Sequence, residues 1–389
     1  MVPVAWALRG EGHDVLVATQ PALVDDVVAA GLPVAPVGRD HDLWRVARLA
    51  PAGPAGIPAL GLGADPTWEY LLGEYRRVVP WWWRLINEPM LADLVDLCRR
   101  WRPHLVVWEA VTFAGAVAAR ACGAAHVRFL FGSDLPGRLR REFLRARPVA
   151  ATDDPLAQWL DRCAHQFGGS FHEDMTTGQA SVTFLPEPLR IPAADGPLLP
   201  VRYVPYNGRC VVPGWVLDRP RRPRVGISLG RSSIERLGTY PVRVPDLLEA
   251  LSALDVEVVA TVSADDPAAA LPGNARLVGF VPLHALAASC SVVVNHGGPG
   301  TMCTTLGTGV PQLVLPGMYD EPLLGDLLTR TGAGLALAPD EWTVERIADF
   351  TRRLLTLSAH RDAARALQAT AMAMPTPDLL SRALESVAA

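Results

Sequence analysis

Short apolar runs recur along this chain at helix-length intervals, and that alternation constrains its fold more than any other feature. In the first half they stand at 15–18, 34–37, 105–108 and 127–130; in the second they stand at 225–229, 256–260, 291–294, 312–315 and 334–337. Runs such as Val292-Val293-Val294 and Leu313-Val314-Leu315 are apolar on consecutive residues, so both faces of each strand must be covered. Most intervals, at roughly 15–25 residues, leave room for one helix joining successive parallel strands. The expected class is α/β, with two Rossmann-like doubly wound parallel sheets.

A chain of 389 residues, half of them hydrophobic, can bury two such cores. Between them Pro186, Pro188, Pro192, Pro197, Pro200 and Pro205 set a proline density that neither a helix nor a central strand tolerates. This places an N-terminal domain at 1–184, a linker at 185–206 and a C-terminal domain at 207–372. Residues 373–389 form a last helix, free to dock on the first domain.

Composition narrows the partner. A net charge of −4 offers no basic field for nucleic acid, and no polybasic cluster marks a membrane surface. There is no run of about 18 apolar residues and no signal-peptide character at Met1-Val2-Pro3-Val4, so a cytoplasmic protein is expected. The six cysteines form no C-x-x-C pair, which argues against a zinc site or a disulfide scaffold. All 36 basic residues are arginine, which excludes lysine chemistry. The partner is then a small molecule.

The sharpest local signal is Asn295-His296-Gly297-Gly298-Pro299-Gly300-Thr301, between the run 291–294 and a helical stretch from Met302. A buried strand, a glycine-rich turn and a helix start leave free amides and a positive helix end facing outward, which suits a phosphate. His296 adds a side-chain donor. A tight turn with glycines at positive φ explains the same residues equally well. The segment 68–101, with Tyr70, Trp81, Trp82, Trp83 and Trp101 interrupted at Pro80 and Pro89, reads as core packing or as an acceptor-pocket wall. Asp40-His41-Asp42 is the one D-x-D, read as a solvated loop rather than a metal-diphosphate clamp.

One element is missing at the front. A doubly wound domain opens on a strand, whereas this chain opens on a helical stretch, 2–10, before the run at 15–18. The N-terminal sheet should therefore lack its first, central strand, leaving buried N–H and C=O groups unpaired at ~1–3 kcal/mol each. The working protein is expected to begin about twenty residues earlier, the length of one strand and its loop.

With these elements placed, the chain resembles, almost end to end, the inverting nucleotide-sugar glycosyltransferases of the GT-B fold, family 1. The closest likeness is to the bacterial branch that decorates macrolides, anthracyclines and similar aglycones. The likeness is carried by residues 2–9 with Gly12-His13-Asp14-Val15, then Gln20-Pro21-Ala22-Leu23, Tyr203-Val204-Pro205-Tyr206-Asn207-Gly208 and Ser228-Leu229-Gly230. Most specific are Gly279-Phe280-Val281-Pro282-Leu283, His296-Gly297-Gly298-Pro299-Gly300-Thr301 and Gly309-Val310-Pro311-Gln312, in that order.

The resemblance implies a transferase moving a deoxysugar from a dTDP or UDP donor to a hydroxyl of a polyketide-type aglycone in antibiotic biosynthesis, without cofactor or metal. It places Phe280 and Val281 at the pyrimidine. His296, Gly297, Gly298, Gly300 and Thr301 fall at the diphosphate, with Ser232 reaching a phosphate from the facing strand end. The departing diphosphate gains charge in the transition state, where a helix end and a histidine stabilise it. Asp320-Glu321 falls where the family holds sugar hydroxyls with an Asp-Gln pair; a surface turn capping a helix is the alternative. Glu109 maps to the acidic partner of a general-base His, whose own position falls upstream of Met1. His13, just before the second strand, reads as structural.

Phe113, Phe131 and Asp134 are expected near the acceptor. Residues 128–134 and the arginine-rich 138–147 resemble the subgroup that works with a cytochrome-P450-like auxiliary protein, against the simpler reading of an exposed basic helix. A homodimer stays open. Two further readings compete: a nucleotide-sugar-binding module that lacks its catalytic base, and a GT-B epimerase.

Overall fold

The structure, a computed structural model, describes residues 1–41, 65–192, 196–230, 242–261 and 271–389. It divides into two compact units. The first comprises Met1–Phe184, Ile191–Val201 and Pro375–Ala389; the second comprises Leu185–Arg190 and Arg202–Met374.

In the first unit, strands β1 (Val17–Thr19) and β2 (Val34–Pro36) form a parallel pair. A second parallel sheet runs β3 (Leu105–Glu109), β4 (Ala125–Phe129), β5 (Ala180–Thr183) and β6 (Leu198–Pro200) in that spatial order. Among the described residues no ladder joins the two sheets. Strand β6 lies inside the stretch expected as a linker. It is the sheet's edge, where a proline's missing N–H is harmless. Glu187–Leu189 adds a 3-10 turn, so the stretch 185–206 contributes folded structure to both units rather than a free connection.

Helix α1 (Val2–Gly10) packs on the C-terminal helix Pro377–Ala388, which also touches β3, β4 and β6. His13 Nε2 lies 2.8 Å from Glu385 Oε1 of that last helix, a structural tie. Helix α2 (Trp68–Val78) passes through one wide turn, Val79–Trp83, into α3 (Arg84–Trp101). The wide turn holds Pro80, and α3 carries Pro89 within it, so neither proline ends the helical path. Rings from this segment make a buried edge-to-face stack. Tyr75 meets Phe143 at 4.6 Å and Trp83 meets Phe113 at 5.1 Å, and Phe113 meets Trp159 at 5.9 Å. Core packing therefore accounts for Tyr75 and Trp83, while Trp81 remains 60% exposed.

Helices α4 (Ala114–Cys122), α5 (Leu135–Ala146) and α6 (Pro155–His165) complete this unit's core. The arginine-rich α5 is not the exposed basic helix that was one expectation, because Arg138 is 6% and Arg140 3% exposed. Arg140 is held by Asp154 at 2.9 Å and Glu173 at 2.6 Å, carboxylates that come from outside its own helix. A buried charge stays buried only when paired in this way.

The second unit is one six-stranded parallel sheet. Its strands are β7 (Arg224–Ser228), β8 (Glu257–Thr261), β9 (Ala275–Val278), β10 (Val292–Asn295), β11 (Gln312–Val314) and β12 (Gly334–Ala336). Their spatial order is β12-β11-β10-β7-β8-β9. Val225, Ile227, Val258, Val292, Val294 and Leu313 face helices α7 (Val244–Ser252) and, near the C-terminal end of the unit, Val344–Thr356. Val259 and Val293, one residue out of phase, face α8 (Leu283–Ala288) on the other side. Consecutive apolar residues are required because both faces are covered, and each such side chain contributes about 1.5–3 kcal/mol. Strand order reverses between β7 and β10, the crevice where open α/β sheets bind ligands.

Candidate nucleotide-diphosphate site

Strand β10 delivers His296 to that crevice. After Asn295 the chain turns through Gly297 and Gly298 into α9 (Pro299–Leu306), with Gly298 at the N-cap and proline at the first helical position. The turn is stapled from beneath. Asn295 is fully buried; its Oδ1 accepts from the Gly297 amide at 2.8 Å and its Nδ2 donates to Gln312 Oε1 at 3.0 Å. Gln312 in turn donates to the Met302 carbonyl at 3.2 Å, so strand, turn and helix are fixed as one piece.

Glycine is required here by geometry. Gly297 has φ +88, and a Cβ there would lie 2.8 Å from Val314 Cγ1. The imidazole of His296, 7% exposed, rests against two more glycines: a Cβ on Gly298 would come 2.3 Å from Nε2, and one on Gly230 2.5 Å from Cε1. Burial lowers the His296 pKa, with the Ser228 backbone opposing, which favours a neutral ring. The first-turn amides of α9 have no acceptor within their helix and carry the positive end of its dipole. Ring, amides and dipole together make a seat for an anion.

Glu321 opens helix α10 (Glu321–Thr331), and its carboxylate turns inward. Its Oε2 accepts from the amides of Gly317 at 2.7 Å and Met318 at 2.8 Å, and its Oε1 stands 3.9 Å from His296 Nε2. Burial, with Asp320 adding to it, pushes this carboxyl up to about 7. Asp320 is 2% exposed at the N-cap and makes no side-chain capping bond, which removes the surface-turn reading of the pair. Two positions were missed as contributors. Gln312 lies in an apolar run and in a family-like motif, and neither points to a role at the site. Tyr203 lies in a family-like motif that assigns it no role, yet a Cβ on Gly300 would lie 3.2 Å from its hydroxyl, and that hydroxyl bonds Thr304 in α9.

Phe280 follows β9 and is 49% exposed, whereas the Val281 side chain is buried against α8. Ser232 and Asp42 lie outside the described residues. Asp40 accepts from the Ala22 amide at 2.8 Å. Among the described residues no three His, Cys, Asp or Glu side chains group closely enough to share a metal ion, and no helix is long and apolar enough to cross a membrane.

In the first unit, Glu109 ends β3. Its Oε2 accepts from the Val111 amide at 3.1 Å and from Thr112 Oγ1 at 2.9 Å, while burial raises its pKa. The loop it leans on is held by a residue the sequence did not single out. Asn87, 1% exposed, donates to the carbonyls of Trp83 at 2.7 Å and Val111 at 2.9 Å and accepts from the Ala114 amide at 2.8 Å. Two of the residues expected near the acceptor are committed elsewhere. Phe113 is 1% exposed within the aromatic stack, and Asp134 binds Arg128 at 2.6 Å while capping α5 through the Gly137 amide at 3.0 Å. Phe131 is 36% exposed.

This geometry can be set beside known proteins. Residues 6–230 match the family model "Erythromycin biosynthesis protein CIII-like, N-terminal domain", and residues 245–387 match its C-terminal counterpart. The 10-deoxymethynolide desosaminyltransferase of Streptomyces venezuelae is 41% identical over all of this chain and 94% of its own length. The aklavinone 7-beta-L-rhodosaminyltransferase of Streptomyces galilaeus is also 41% identical, over all of this chain and 92% of its own length. The crystal structure of glycosyltransferase VinC in complex with dTDP superposes with a TM-score of 0.87 at 36% identity, covering all of this chain and 95% of that one. With a family model on each half and relatives alike along the whole length, the chain belongs to the erythromycin biosynthesis protein CIII-like family of GT-B glycosyltransferases.

Proposed function

We propose that this protein transfers a deoxysugar from a thymidine diphosphate donor to a hydroxyl of a polyketide-type aglycone; the names of two relatives give a sugar and an acceptor for their own reactions, and the VinC structure holds dTDP. The observation that carries the proposal is His296, packed on Gly230 and Gly298 at the start of α9, at the point where strand order reverses. Amides and imidazole there face a leaving diphosphate, whose charge grows as the glycosidic bond breaks. Phe280 offers its exposed ring to the pyrimidine. Asp320 and Glu321 border the donor sugar. In the first unit Glu109, held by Val111 and Thr112, is the acidic group that orients the base taking the acceptor proton.

A cytochrome-P450-like auxiliary protein belongs to the same proposal. Its footing would be the outer side of α5, where Leu144 is 41% exposed and Arg145 projects beside it. All six cysteines are free thiols, in keeping with a reducing cytoplasm.

Incubation with dTDP-deoxysugars and macrolide or anthracycline aglycones, with and without such a partner protein, tests this by mass spectrometry of the products. An aglycone gaining one deoxysugar, lost in His296→Ala, supports the proposal. Tight thymidine diphosphate binding with no transfer to any aglycone would leave a nucleotide-sugar-binding protein instead.

A further inference from the structure

Two buried ionisable groups, His296 and Glu321, face each other across 3.9 Å at the diphosphate seat, and bordering the donor sugar does not account for a carboxylate oxygen placed beside the ring. Glu321 is 8% exposed, and its carboxylate is already occupied on one side by the Gly317 and Met318 amides. Its other oxygen points to the ring rather than outward. We propose that Glu321 acts through His296 as a positioning residue, the two forming an electrostatically coupled pair that takes up one proton from solvent when a nucleoside diphosphate binds. This rests on the reading of His296 as a diphosphate contact and deepens it.

The surroundings support uptake rather than release. Other charged groups on and against α10 are Asp320 at its N-cap, Asp326 and Arg330 along it, and Glu187 and Arg190 at the turn packed against it. Among the described residues none of the arginines forms an ion pair with Glu321. Asp320 disfavours a second negative charge beside it. With the carboxyl pushed up to about 7 and the imidazole below its ordinary value, the pair can take up a proton at neutral pH. A diphosphate brings at least two negative charges beside the ring, and each favours the protonated form of both groups. The proton therefore belongs to the pair, not to either residue alone. Once taken up, it offsets the charge of a carboxylate that would otherwise repel the ligand.

The test is calorimetry of ligand binding to the full chain at pH 7.5, in two buffers of different ionisation enthalpy, for wild type and Glu321→Gln. The probes are thymidine diphosphate and dTDP-glucose, the second having no phosphate that titrates near neutrality. Wild type should take up protons with both probes and Glu321→Gln fewer, and wild-type affinity should fall up to tenfold per pH unit above 7, more steeply than in the variant. Equal uptake in the two proteins overturns the proposal. If the variant does not fold, wild type alone decides: binding of dTDP-glucose without proton uptake overturns it. Failure of wild type to bind either probe would instead overturn the diphosphate site itself.

Discussion

Replacing Gly298 by alanine isolates the seat of the His296 ring. The backbone there, φ −59, accepts any residue, so no conformational strain enters. The added methyl would stand 2.3 Å from Nε2 and 3.0 Å from Cε1, inside any tolerable contact. A ring at a surface could swing away, but this one is 7% exposed and also rests on Gly230, so little room is left for it. Overpacking of this kind costs about 1–3 kcal/mol of stability. The displaced imidazole also loses a hydrogen bond to a charged ligand, worth about 1.5–3 kcal/mol, which is roughly ten- to hundredfold in affinity. Thymidine diphosphate titration by calorimetry, with thermal unfolding alongside, measures both. Gly273→Ala, where nothing lies within 4 Å, serves as the neutral control. Wild-type affinity in Gly298→Ala would refute the placement of the ring against the diphosphate.

Asn87→Ala strips three buried hydrogen bonds and should cost about 3 kcal/mol, lowering the melting temperature by roughly 6–12 °C. Because the freed loop carries the groups bonded to Glu109, kcat should fall about tenfold while thymidine diphosphate affinity holds; a fall in affinity with kcat unchanged would count against the staple. Glu321→Gln should stabilise the protein in base and not in acid. With a folded pKa of about 7 against an ordinary 4.5, the unfolded chain ionises first as pH rises, so wild type loses up to about 3 kcal/mol between those values. Denaturant unfolding at pH 4 and pH 8 reads the gap, and an equal difference at both would contradict a buried, reluctant carboxylate.

The second unit was the more legible half of the chain, for a physical reason. Val225 to Leu229 and Val292 to Val294 are buried on both faces, so their apolarity is continuous and needs no context to be read. β9 escaped notice because Ala275-Arg276-Leu277-Val278 is a partly exposed edge carrying a charge. β6 escaped because prolines that forbid a central strand are tolerated at an edge. The same limit governed α5. An arginine run reads as surface until Asp154 and Glu173 are seen to meet Arg140, and those partners are distant in sequence. At the site, the glycine turn was visible as a motif, yet its support was not. Gln312 reaching Met302 and Asn87 bridging Trp83 to Val111 are single polar residues inside apolar or helical stretches, and nothing local distinguishes them from surface polar residues.

The C-terminal helix Pro377–Ala388, packed on α1 and on the edges of β3, β4 and β6, has a consequence for how the molecule is made. Apart from Leu185–Arg190, the second unit is one unbroken stretch of chain, Arg202–Met374, and it can close as soon as that stretch leaves the ribosome. The first unit, although begun earlier, is completed only by the residues after Met374. The later-made half of this protein is thus free to finish folding first.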